Sequence, residues 1–261
     1  IWALGYVISA EHLPDDIREG SRKIFNKALK HFSELTSLRA VSFAIVGLSY
    51  ILQKEHDEKL IKILDALAYR LVTQYRATTS NPEKNGWLWF EDCLTYSNYK
   101  LSEALFRAYK ITKNKEYLEV ATITLDFLDN ITFDKKDFFA PIGQDGWYFR
   151  NGKRAYYDQQ PEDAATAVEA QVAAFEATKK AKYKRNAEFI FNWFLGKNHL
   201  NQMVYDEATG GSYDGLGRYS LNFNQGAESS ISYLIARLEI AKLFPNNIKT
   251  DDNSEDNKKL L

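Results

Sequence analysis

Three stretches of the chain place acids beside aromatic and amide side chains. The first reads Trp87-Leu88-Trp89-Phe90-Glu91-Asp92-Cys93-Leu94-Thr95-Tyr96-Ser97-Asn98. The second holds Gln144-Asp145-Gly146-Trp147 and, further on, Tyr156-Tyr157-Asp158-Gln159-Gln160-Pro161-Glu162. The third holds Tyr213-Asp214-Gly215 and Asn222-Phe223-Asn224-Gln225-Gly226-Ala227-Glu228. Flat aromatic faces cover the C–H patches of a sugar ring, while carboxylates and amides pair with hydroxyls that both donate and accept. Two carboxyl groups facing each other across one pit could also cleave a glycosidic bond, one giving a proton and the other acting as base or nucleophile.

On this chemistry the leading catalytic candidates are Asp92, Asp158 and Glu228, followed by Glu91 and Asp145. Trp87, Trp89 and Trp147 are candidate stacking faces, and Tyr157, Gln159, Gln160, Asp214 and Asn224 candidate sugar contacts. Each has a plainer alternative. Asp92 could cap the following helix, a role worth about 1 kcal/mol. Asp145 and Asp214 precede glycine, as turn residues do. Glu228 sits where a helix dipole favours an anion anyway, and a loop Trp can simply plug the core. Asp158, beside Gln159, Gln160 and a helix-starting Pro161, is placed where amide donors favour its charged form, which suits a base or nucleophile better than an acid.

The elements that must position these residues are helices. Apolar residues recur at three- and four-residue spacing over at least eight segments, and strand-like alternation is rare. The segments include about 57–78, 97–113, 115–130, 161–179, 183–197 and 226–243. Ser37, Asn98, Asp163 and Glu228 head helices rich in small residues at intervals of roughly 60 to 65 residues, the length of a helical hairpin with two loops. Within each unit one loop is a tight polar turn, as at Lys113-Asn114-Lys115, and the other is long. The three long loops carry the stretches above, and all three fall at one end of an antiparallel array. The Ala-rich first helices, with Ala104, Ala108, Ala164, Ala165, Ala167, Ala170, Ala173 and Ala174, suit a crowded inner ring. Their partners, with Phe127, Phe189, Trp193 and Phe194, suit an outer one.

Composition narrows the classes. Thirty-four basic and thirty-five acidic residues give a net charge of -1, which argues against nucleic acid and anionic membrane as partners. The apolar runs end well short of the roughly 20 residues that span a bilayer. A lone Cys93 makes no internal disulfide and demands no oxidising compartment, so a soluble, cytoplasmic chain is expected. His12, His31, His56 and His199 are scattered, against a His-pair epimerase, and no zinc, diphosphate–magnesium or phosphate-loop motif is present, so no cofactor or metal is expected.

A ring of helical hairpins with acid- and Trp-bearing loops collected at one end resembles the (α/α) toroid of the six-hairpin glycosidase superfamily. The resemblance covers about 1–243 and implies an all-α hairpin toroid, a carbohydrate-active domain, and an oligosaccharide or polysaccharide partner in a groove lined by the inner-helix starts. About four to five hairpins are visible where six close a ring. The opening Ile1–Ser9 reads as a chain cut inside a helix, residues 1–245 as the toroid domain, and 246–261 as a disordered polar tail. The stretches 87–96 and 157–162 are also similar to a domain joined to bacterial glycosyltransferases. This leaves open a non-catalytic glycan-binding or scaffolding module of a larger polypeptide. A polysaccharide lyase with a tyrosine base would need a positive pocket around Arg150 or Arg154.

Overall fold

The computed structural model describes residues 1–80, 86–134 and 137–245, and the expected tail at 246–261 lies outside them. Among the described residues nine α-helices follow in order: α1 (Trp2–Ser9), α2 (Asp15–Leu29), α3 (Leu38–Leu52), α4 (Glu58–Thr79), α5 (Tyr99–Thr112), α6 (Lys115–Thr132), α7 (Pro161–Thr178), α8 (Ala181–Phe191) and α9 (Ala227–Leu243). None is long and apolar enough to cross a membrane.

Local chemistry sets the helix ends. The Asp57 carboxylate accepts the Lys59 and Leu60 amides at the head of α4, and Asn114 accepts the Glu116 amide at the head of α6. Pro161 opens α7, where its missing N–H costs nothing. Both α5 and α7 stop on a lysine in the left-handed region, Lys113 at φ 61° and Lys179 at φ 59°. The next helix begins two residues later in each case, which makes the tight turn of the hairpin.

α1, α3, α5 and α7 each pair with the helix that follows, and α1, α3, α5, α7 and α9 pack in sequence to form the inner layer. Their heads meet heads and tails meet tails. Arg39 donates to Asn98 across the starts of α3 and α5, and Asp163 accepts the Ser97 amide across the starts of α5 and α7. Lys110 pairs with Glu176 near their ends. The inner helices are therefore parallel. Their alanines, from Ala104 to Ala174, are at most 3% exposed, so the small side chains do what a crowded inner layer needs. The chain has the all-α toroid architecture, with four hairpins and a ninth helix in view.

The helix expected over 183–197 ends earlier, at Phe191. Beyond it the amides of Trp193, Phe194 and Leu195 reach back only three residues, and the Asn198 side-chain amide donates to the Trp193 carbonyl at 2.9 Å while its oxygen accepts the Leu200 amide. Gly196, at φ 94°, completes the reversal. Among the described residues three ladders of two residues each form among the long loops and beside α6.

Within the inner layer lies a buried charge cluster. Lys100 donates to Glu103 at 2.8 Å and to Glu169 at 2.6 Å, and Arg107 donates to Glu103 at 2.6 Å. The Lys100 ammonium also sits 4.4 Å from the Trp2 ring centre, and Arg107 reaches the Tyr50 hydroxyl, so four inner helices share the cluster. Two positive and two negative groups leave it balanced. Burial pushes the Glu169 carboxyl up to about 7 against the pull of Lys100. Replacing Lys100 by Met would leave Glu169 buried without a cation and Glu103 with Arg107 alone. The expected loss is about 3–5 kcal/mol in urea denaturation at neutral pH, shrinking as the pH falls and the glutamates take up protons.

Candidate functional site

The middle long loop doubles back on itself before α7. The Gly143 amide donates to Ala155 and the Gln144 amide to the Asp158 carbonyl. A Cβ on Gly143 would fall 1.8 Å from the Tyr157 carbonyl oxygen, so only glycine permits the crossing. The same loop then pairs with the third. Gln159 and Leu216 exchange both amide-to-carbonyl bonds, at 3.0 and 2.9 Å. In the third loop β5 (Gly215–Leu216) and β6 (Leu221–Asn222) form a short hairpin, and Asp214 accepts the Gly226 amide at 2.8 Å and the Ser229 hydroxyl at 2.6 Å, which fastens the head of α9.

Between these two loops opens a cleft of about 360 Å³. Its polar lining comes from Gln144, Asp158, Gln160, Asp214, Asn222 and Glu228. Asp158 is exposed, and its φ of 57° is one that aspartate tolerates better than most residues. Among the described residues nothing donates a hydrogen bond to the Asp158 or the Glu228 carboxylate. Asp214 is half-buried and already committed to α9, so it shapes the wall.

The other expected site residues lie elsewhere. Glu91 is held by Arg39 at 2.8 Å and Asp92 is ion-paired with Arg150. Both border a separate hollow against the end of α4, with Gln74, Ala77 and Thr78. The pairing of Cys93–Leu94 with Tyr148–Phe149 joins the first loop to the middle one without bringing these acids into the cleft. Asp92 does not cap α5. Trp89 is fully buried against Phe90 and Phe127, and Trp87, 6% exposed, packs on Phe127 and Tyr148 while donating to the Glu91 carbonyl. The expected stacking faces there are core. Trp147 remains half-exposed beside Tyr96.

Asp145 occupies an exposed turn before Gly146. Gln159 is fully buried and accepts the Trp193 indole N–H, which makes it a brace beneath the cleft. Asn224 is exposed and contributes its carbonyl to the Asp214 amide. Tyr157 faces away, into a second hollow with Arg218 and His199. The positive pocket required for a lyase does not form at Arg154, whose guanidinium donates to the Ile131, Ala140 and Pro141 carbonyls.

The sequence reading passed over two acids just inside α7. Glu162 accepts the Ser97 hydroxyl and Asp163 the Ser97 amide, yet Glu162 Oε2 and Asp163 Oδ2 are buried without a partner. Ser97 holds this position at φ 48°. Burial pushes the Glu162 carboxyl up, with the Glu228 charge adding to the rise, and it pushes Asp163 well above the carboxylate range, with Glu162 adding. The available signal was a pair of consecutive acids opening a helix that is otherwise Ala-rich and buried. Exposed aromatics were also passed over. Tyr219, 83% exposed, and Phe223, 68% exposed, stand on or beside the hairpin that borders the cleft. Chemically, the cleft offers open carboxylates and amides, with exposed ring faces beside it and, at the head of α7, a buried acid pair whose carboxyls are pushed up. Among the described residues no group of three or more His, Cys, Asp or Glu is arranged to hold a metal ion.

No family model matches the chain, and no curated protein matches it in sequence. Solved structures do match in fold. An unsaturated glucuronyl hydrolase of Bacillus sp. GL1, described as responsible for glycosaminoglycan degradation, superposes with a TM-score of 0.68 at 15% identity, over 92% of this chain and 66% of its own. A GH76 α-mannanase of Bacteroides thetaiotaomicron gives 0.63 at 12%, over 95% and 69%. A sugar epimerase from a ruminal bacterium gives 0.53 at 17%, over 82% and 59%. The chain thus has the (α/α) toroid fold of glycosidases and spans about two thirds of the glucuronyl hydrolase's length.

The Asp163 environment has a measurable consequence. A carboxyl raised above its unfolded value costs nothing below the ordinary carboxylate range, and it destabilises progressively as the pH climbs from there to its folded value. Asp163→Asn removes that cost. The variant should melt above the wild type at about pH 8, with the gap closing toward about pH 4, as followed by circular dichroism.

Proposed function

We propose that this chain is a carbohydrate-active domain that cleaves glycosidic bonds in the cleft between its middle and third long loops. The supporting observation is that the carboxylates of Asp158 and Glu228, neither held by a protein donor among the described residues, line one cleft together with Gln144, Gln160 and Asn222. Asp158, open to water, is the candidate base or nucleophile. Glu162, whose carboxyl is pushed up by burial and by the charge of Glu228, is the candidate source of the proton. Sugar rings would stack on Tyr219, Phe223 or Trp147. The hydrolase names among its fold neighbours favour hydrolysis, and the unpaired Cys93 is in keeping with a cytoplasmic setting.

A second reading has its own observation. Glu91, Asp92 and Asp214 are tied up in ion pairs and in the α9 cap, as expected of a module that binds a glycan without reacting, within a larger polypeptide of the glycosyltransferase type. Turnover separates the two. With reducing-end release from an oligosaccharide panel as the assay, Asp158→Asn should lower turnover at least about a hundredfold and leave the melting temperature nearly unchanged, since asparagine also tolerates the left-handed backbone. Wild-type protein that binds glycans without releasing new ends would favour the binding module.

A further inference from the structure

Behind the cleft wall lies a second hollow of about 690 Å³, whose lining includes Tyr156, Tyr157, Asn198, His199, Asn201 and Arg218. The two hollows share one partition. Asp158 and Gly217 face the cleft, while their chain neighbours Tyr157 and Arg218 face the second hollow. The Arg218 guanidinium carbon stands 4.7 Å from the Tyr157 ring centre and 5.8 Å from that of Tyr219. Elsewhere Arg22, Arg39, Arg107 and Arg150 each meet a carboxylate. No carboxylate among the described residues lies within ion-pair distance of Arg218. The Tyr157 and Tyr219 side chains hydrogen-bond and orient the guanidinium without neutralising it, so its charge and its remaining donors are left for a second partner.

The floor of the hollow adds an acceptor. His199 Nε2 lies 2.9 Å from the Gly217 carbonyl, which can only accept, so Nε2 carries the proton. In the neutral ring Nδ1 is then a bare acceptor, and it is buried without a partner. A sugar hydroxyl would supply the missing donor.

We propose that this second hollow binds a negatively charged unit, carrying a carboxylate or a sulfate, of the same glycan whose adjoining unit occupies the cleft. Arg218 is the anion contact, Tyr157 the ring beneath it, and His199 and the two asparagines the hydroxyl partners. This assignment rests on the saccharide reading of the cleft, which it narrows to acidic glycans.

The test is binding of the full chain to a printed array with uronate-bearing, sulfated and neutral oligosaccharides, for wild type and Arg218→Gln. Arg218 is exposed, so the substitution leaves the fold intact. The expected result is a loss of about tenfold or more on one acidic arm, with neutral glycans unaffected. The arm that falls identifies carboxylate or sulfate, and its wild-type signal should weaken as salt is raised. Unchanged binding on all arms, or an equal loss on neutral and acidic arms, overturns the anionic assignment and leaves the saccharide reading standing. Wild-type protein that binds no arm overturns both.

Discussion

The parallel run of the inner helices is the constraint on which the site depends. Because Ser97, Asp163 and Gly226 all stand at the heads of neighbouring inner helices, every segment leading into such a helix is delivered to the same end of the array. The long loops need no further design to be neighbours. Backbone pairing then fixes their arrangement: the first is joined to the second through Cys93–Leu94 and Tyr148–Phe149, and the second to the third through Gln159 and Leu216. The balanced cluster of Lys100, Glu103, Arg107 and Glu169 fixes the relation of the helices below. Such clusters add specificity of packing more readily than net stability, because each charge must first leave water.

How much of this was legible in the sequence follows from the range of the interactions involved. Helix periodicity, the Ala-rich inner faces and the turns after Lys113 and Lys179 are local properties, and they sufficed for the hairpin array. The placement of Asp158, Gln160 and Glu228 beside one another followed once the loops were known to share an end. Glu91 and Asp92 escaped, since their partners Arg39 and Arg150 lie more than fifty residues away. Trp87 and Trp89 escaped for a similar reason: Phe127, on an outer helix, covers both. Glu162 and Asp163 were visible as letters, but a first-turn acid ordinarily answers to the helix dipole in water. Only packing against Ser97 turns them into buried acids.

The carboxyl groups at the loop end therefore fall into three kinds. Some are neutralised by arginine, one fastens a helix, and a few are either open to water or sealed from it. In the last kind, the environment sets an open carboxylate, Asp158, near buried carboxyls that are pushed up, Glu162 and Asp163. The toroid fold is shared by hydrolases and an epimerase among its neighbours, so the ring of helices alone specifies no one activity.

The crossing at Gly143 has a consequence for how such a domain can change. Main chain rests directly on main chain there, with no side chain between, so the route of the middle loop is set by backbone alone. The residues it displays at positions such as 144 and 157 can then be exchanged like type in a fixed frame, while the frame itself is left as it was.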